Sequence, residues 1–404
     1  MALPPILDLF VVWHPDDSVG QSVFENLHAH FHSAAFSGLA GGAIDVYARS
    51  ASWDGQPGGA PRHIPGFHES ESEMQPSEYC VVLPVLGRAL RDATQGSAAW
   101  AQYLTEIVDW ENDRLLVLST PVDGVNLMGS RLGEILSRPQ RLPADSLANP
   151  SRLVLSVAQA MAQKANGTKD PIKVFVSHAK HNSPTEGVAE EPPYERVRKV
   201  LATTNLDDFF DARSLQPGTD WARALEREAG QCALLMIRTD RYATREWTQR
   251  EVLSAKRHDV PIVGLIAFTE GEARGSFLLD HIPTIPWDRA DADKSIETAL
   301  SRLVDEALKR ALWAAQSIYI KSSGFDWTPV HAPEPVTAIP WLATHQVAEP
   351  DDRHLVIIHP DPPLAPPELE IASELCALAG FGNRVDIVTP RTFAARGGEL
   401  GHAN

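Results

Sequence analysis

The chain has 404 residues, 43% of them hydrophobic and 22% charged, which is a globular composition with room for more than one core. A formal charge of −17 argues against nucleic acid or anionic lipid as the main partner, since both need clustered Lys and Arg. The opening MALPPILDLFVVWHPDD has no basic segment and turns acidic at once. No apolar run approaches the roughly 20 residues of a membrane span, so a cytoplasmic protein without a membrane partner is expected.

Along the chain, LFVVWHPD (9–16) reads as a buried parallel strand breaking into a loop at His14. In the helical stretch that follows, His28 and His32 share a face with His30 nearby. No third ligand is spaced for zinc, so a solvated surface and no metal are expected. DVYARS (45–50) leads into a loop rich in Gly, Pro and His, CVVLPV (80–85) reads as a third strand, Trp100 opens a helix, and LLVLS follows from Leu115. Residues 136–168, with Pro139, Pro143 and Pro150, read as a linker.

The same order then recurs. KVFVSHAK (173–180) ends at His178, FDARS (210–214) holds Arg213, CALLMI (232–237) starts with cysteine, Trp247 opens a helix, and IVGLIA follows from Ile262. His14 to Arg49 and His178 to Arg213 are both 35 residues apart, which suggests one strand–helix–strand element used twice. Apolar residues at helical spacing from Ser295 to Ala314 close this unit. A Pro-rich linker (326–351) precedes a third, shorter echo, LVIIHPDP (355–362) and DIVTPRT (386–392). The expected divisions are therefore 1–135, 136–168, 169–325, 326–351 and 352–404. The expected class is α/β, with flavodoxin-like doubly wound parallel sheets and functional residues at the carboxyl ends of strands. Cys80, Cys232 and Cys376 lie far apart in apolar runs and read as buried hydrophobes in a reducing compartment, not as a disulfide framework.

Taken together, VFVSHAKHN, FFDARSLQPGTDW, CALLMIRTDRYATREWTQRE and VPIVGLIAF resemble a bacterial Toll/interleukin-1 receptor (TIR) domain over about residues 169–290. Ser177 and His178 match the pair that ends the family's first strand. Asp211, Leu215, Gln216, Pro217 and Gly218 match its BB loop, and Tyr242, Trp247 and Glu251 match the segment after its third strand. The acidic residues that commonly follow Ser-His are replaced by Lys180, His181 and Asn182, and a Pro- and Glu-rich insertion runs to Pro193. The resemblance implies that Glu251 is a catalytic glutamate. It also implies that NAD+, as substrate and with no other cofactor, lies along Ser177, His178 and the BB loop, and that domains self-associate through that loop.

Residue chemistry fits such a reaction. Trp247 and Glu251 are i and i+4 on a helix, so the carboxylate sits beside the indole. Cleaving the nicotinamide–ribose bond passes through an oxocarbenium-like state and releases a neutral pyridine, so no general acid is required. One carboxylate near the ribose can stabilise the developing charge. An aromatic wall, Trp221 or Trp247, can hold the ring. Plainer readings stand beside these: Trp221 as helix core, Arg213 as a solvated loop charge, and His178 as a strand-end histidine.

Trp100 plus four is Leu104 where Trp247 plus four is Glu251, so the first unit is expected to be a degenerate TIR-like domain, or else an unrelated flavodoxin-like one. The expectation for the whole is an NAD+ glycohydrolase or ADP-ribosyl cyclase acting in anti-phage immunity after self-assembly. A sensor or activator protein or ligand would be a further partner. The competing class is a non-enzymatic TIR adaptor acting through BB-loop contacts. A third is a base-exchange or deoxyribosyl transferase with a glutamate nucleophile.

Overall fold

The computed structural model describes residues 6–36, 43–56, 58–65, 77–110, 112–143, 145–179, 191–208, 232–321, 324–345, 354–381 and 385–398. The chain divides into two compact units, Leu3–Ala165 and Asn166–Asn404.

In the first unit, β1 (Leu7–Val12), β2 (Ile44–Arg49), β3 (Tyr79–Leu86), β4 (Leu115–Pro121) and β5 (Gln140–Arg141) form one parallel sheet in the order β2-β1-β3-β4-β5. β1 is buried along its whole length and β3 along all but its first residue, as strands covered on both faces must be. Helix α1 (Ser18–Phe31) buries Val23, Leu27 and Phe31 on one face. On the other, α2 (Arg88–Gly96), α3 (Ala98–Asp109) and α4 (Arg131–Ile135) close a core of Phe10, Val82, Leu90, Trp100 and Leu104.

The second unit repeats this winding. Strands β6 (Lys173–His178), β7 (Asp207–Asp208), β8 (Cys232–Arg238), β9 (Ile262–Ile266) and β10 (Thr284–Pro286) lie parallel in the order β7-β6-β8-β9-β10, the same order as in the first sheet. Both therefore show the 2-1-3-4-5 order, whose direction of winding reverses between the first and third strands. Ligand crevices form at that point in such sheets.

Two further sequence expectations meet a different structure. Residues 136–168 hold β5 and a sixteen-residue helix, α5 (Pro150–Ala165), with ten buried residues that belong to the first unit. Pro150 starts that helix at its first position, and Asn149 Oδ1 accepts from the Ser151 N–H at 2.9 Å. This is the arrangement in which proline favours a helix and does not mark a spacer. The equal His-to-Arg offset is likewise not an equal strand register. Leu7 pairs with Ile44 across 37 positions, whereas Lys173 pairs with Asp207 across 34.

Among the described residues, three helices surround the second sheet: α6 (Pro193–Leu201), α7 (Glu246–Arg257) and α8 (Ala292–Lys321). α7 covers the face holding Phe175, Leu234 and Met236, while α8 packs on β8, β9 and β10. α8 contains the expected 295–314 stretch, with Ile296, Leu300, Leu303, Val304, Leu308 and Leu312 all buried.

The stretch 326–351 is also no bare linker, because it contributes α9 (Pro335–Thr344). Val336 of this helix packs on the second sheet's core. Beyond it, β11 (Leu355–Ile358) and β12 (Val385–Val388) pair in parallel, connected through α10 (Pro366–Cys376), and α11 (Pro390–Ala395) follows. Trp327 bridges to Ile357 and stacks on Trp341 at 4.8 Å, so the extension and this small sheet share a core with Leu355, Cys376 and Phe381. Cys80, Cys232 and Cys376 are all buried free thiols. No described helix is long and apolar enough to cross a membrane.

Candidate functional site

The carboxyl edge of the second sheet, between β6 and β8, is the reversal point of its winding. β6 ends in Ser177 and His178. β8 ends at Arg238, and a chain of turns from Thr239 to Arg245 then delivers the polypeptide to α7. Hydrogen bonds fix this connection. Tyr242 N–H donates to Thr239 O at 2.9 Å, and Thr248 Oγ1 donates back to Tyr242 O at 2.6 Å. Tyr242 is thereby turned under the first turn of α7, with nothing of its side chain exposed.

Three polar side chains meet there. The Ser177 hydroxyl donates to Glu251 Oε2 at 2.5 Å, and Ser177 Oγ lies 2.7 Å from the Tyr242 hydroxyl. All three residues are buried, Glu251 to 4% residual exposure. A 2.5 Å O–H···O contact has the length of a charge-assisted bond to a carboxylate. Serine has one proton to give, and here it goes to Glu251, so the phenol supplies the other bond. Tyr242 donates to Ser177, and Ser177 donates to Glu251. Burial raises the Tyr242 phenol well above its ordinary value, against the opposing effect of its hydrogen bond with Ser177, which keeps the tyrosine protonated at any physiological pH.

Neighbouring groups brace the same edge. Asp240 accepts from the N–H groups of Thr269, Glu270 and Gly271 at 2.9–3.0 Å, holding the loop after β9. Arg238 grips Glu272 of that loop through Nε at 2.7 Å and Nη2 at 2.5 Å. The His178 ring, part-buried, stacks on Tyr194 of α6 at 3.8 Å. Trp247 is the second residue of α7 and is part-buried, one turn before Glu251.

The structure thus brings Ser177 and Glu251 into contact and places His178 and Trp247 on the elements that carry them. Asp211, Arg213, Leu215, Gln216, Pro217, Gly218 and Trp221 lie outside the described residues. Tyr242 marked a motif in the sequence without a role. The signal available was its phenol, which needs a partner once buried. Asp240 and Tyr194 gave no sequence signal.

At the corresponding edge of the first unit, the described residues show no counterpart of the Ser177–Glu251 contact. The residue before His14 is Trp13, which is 2% exposed and stacks on Phe24 at 5.7 Å. Its packing needs a glycine at position 20, where a Cβ would stand 2.1 Å from the indole. Leu104 is fully buried beside Trp100 and Phe10. Where the second unit has its Tyr242 turn, the first inserts α2, whose N–H groups at Ala89 and Leu90 donate to the Asp17 carboxylate at 3.0 and 2.9 Å. His14, His178 and His359 do share one place, at or just past the carboxyl end of the first strand in each echo. The arginines do not, since Arg49 ends β2 and Arg391 lies within α11. Neither models of known protein families nor curated proteins match this chain.

Proposed function

We propose that the second unit is a TIR domain that cleaves NAD+ at the nicotinamide–ribose bond, with Glu251 as the carboxylate that stabilises the sugar's developing positive charge. The observation that carries this reading is the buried Glu251 at the sheet's reversal point, with its Oε2 engaged by Ser177. An ionised, hydrogen-bonded carboxylate is preorganised for electrostatic stabilisation and needs no proton to give, which suits a leaving group that departs neutral. Trp247 offers the adjoining aromatic surface. The first unit, wound alike but with apolar Trp13 and Leu104 in place of Ser177 and Glu251, is proposed as a TIR-like relative without hydrolytic chemistry. Self-association is the proposed switch, in keeping with the resemblance, and anti-phage immunity the proposed setting.

Turnover of etheno-NAD by the full chain over a series of protein concentrations tests the proposal. Turnover that rises with assembly and is lost in Glu251→Ala supports it. Assembled wild type with no more turnover than the variant leaves the adaptor reading instead.

A further inference from the structure

Within the second unit, a cavity of about 420 Å3 is lined by the start of β9 and by the loop that follows β11. Val260, Ile282, Pro283, Val330 and Leu364 give it apolar walls. Its lining holds four Lys or Arg side chains and four Asp or Glu side chains, so no net charge selects an ion of either sign. Most of these groups answer one another. Glu306 Oε1 accepts from Arg302 and Lys309 of α8 at 2.8 and 2.9 Å. Lys256 meets Glu334 at 2.8 Å. Glu368 accepts from the Ala365 N–H at 2.8 Å and lies 3.5 Å from His281.

Asp361 is the exception. Its side chain is 9% exposed, and Oδ1 is buried without a hydrogen-bond partner among the described residues. Arg391 Nε stands 3.7 Å from that oxygen, outside hydrogen-bond reach. A carboxylate so buried ordinarily accepts at least one hydrogen bond, since an unmet acceptor carries its full desolvation cost. Its place in the fold points the same way. Asp361 is the third residue past the end of β11, in a parallel strand–helix–strand unit, and the carboxyl ends of such strands are where ligands bind. The component that completes this lining is an N–H donor, and the balance of charge favours one that is itself uncharged.

We propose that the cavity binds a small, uncharged ligand of the primary-amide class. The amide NH2 donates to the Asp361 carboxylate, and a ring or short apolar body lies against Ile282, Pro283 and Leu364. Such a ligand adds no charge to a lining that already holds both signs equally. A ligand carboxylate in the same place meets Asp361 as a like charge. Binding stands independently of the NADase reading.

Calorimetric titration of the full chain provides the test, with benzamide, N,N-dimethylbenzamide and benzoate as probes. All three carry a phenyl ring, but only benzamide is both uncharged and an N–H donor. The expected result is saturable binding of benzamide at millimolar concentration or below. The other two should bind at least about tenfold more weakly, the scale of one hydrogen bond to a charged group. Asp361→Ala should weaken benzamide binding by the same factor. Asp361→Asn, whose side chain donates as well as accepts, should bind benzoate about tenfold more tightly than wild type does, a gain that unfolding cannot produce. The proposal is overturned if benzamide does not bind, or if the three probes bind equally. It is also overturned if Asp361→Ala binds benzamide as wild type does, because the probe then sits at another site, or if Asp361→Asn binds benzoate no better than wild type. None of these outcomes reads etheno-NAD turnover, so failure here and failure of the NADase reading are separate results.

Discussion

Glu251 Oε2 accepts the Ser177 hydroxyl at 2.5 Å, while the Tyr242 phenol stands 2.7 Å from the same hydroxyl on its other side. The three side chains come from the end of β6, the turn after β8 and the second turn of α7, so the contact is made by the fold and by no single segment. Ser177→Ala removes the donor and leaves the carboxylate one bond short. A hydrogen bond to a charged group contributes roughly 1.5–3 kcal/mol, so turnover is expected to fall about 10- to 100-fold. Tyr242→Phe should cost less, about 3- to 10-fold, because Ser177 still donates. Steady-state etheno-NAD kinetics would check both. Equal loss in the two variants would contradict the proton order given above.

The first unit carries a testable pH signature. Asp8 is 4% exposed, and burial raises its carboxyl from 3.8 to about 6, opposed by a hydrogen bond from Ser77. An acid whose pKa rises on folding binds its proton more tightly when folded. Its stabilising effect is therefore full below the unfolded value and is lost as pH rises through about 6. Asp8→Asn should stabilise the protein more at pH 7.5 than at pH 4, by about 1–2 kcal/mol in urea unfolding. An equal effect at both pH values would contradict this.

Lys256 and Glu334 form a buried pair, 7% and 10% exposed, that ties α9 to the helix bearing Glu251. Removing one partner strands a buried charge, so Lys256→Met should cost about 3–5 kcal/mol. Adding Glu334→Leu should recover much of that loss. A double-mutant cycle by chemical denaturation reads the coupling, and purely additive losses would show that the pair does not interact.

Leu104 occupies in the first unit the place that Glu251 occupies in the second when their tryptophans are aligned. Its surroundings are apolar, with Trp100, Phe10 and Ile107 in one cluster. Leu104→Glu is expected to destabilise the first unit by several kcal/mol and not to add etheno-NAD turnover. Thermal unfolding followed by circular dichroism would register the loss, and an unchanged midpoint would contradict the packing described.

Much of this architecture was legible in the chain. The runs from Leu9, Cys80, Leu115, Val174, Cys232 and Ile262 are largely apolar, as suits buried parallel strands. Ser177 and Glu251, 74 residues apart in the chain, share one hydrogen bond, and each lies in a segment that the sequence singles out. Two features stayed hidden. Pro150 and Pro335 read as spacer prolines because the residue type does not say whether it precedes a helix or interrupts one. The equal His-to-Arg spacing implied equal register, but Arg49 ends a strand whose partner offset differs by three from that of β7. Spacing along the chain fixes register only where the intervening helix and loops have equal reach, and the two units differ there.

The most direct test is Glu251→Gln, which keeps the shape and burial of the side chain while removing its charge. In the assembled full chain, with wild type and variant matched for thermal stability and oligomer size, etheno-NAD turnover should fall by at least about 100-fold. Turnover by the glutamine variant within about twofold of wild type would contradict a catalytic carboxylate at this position.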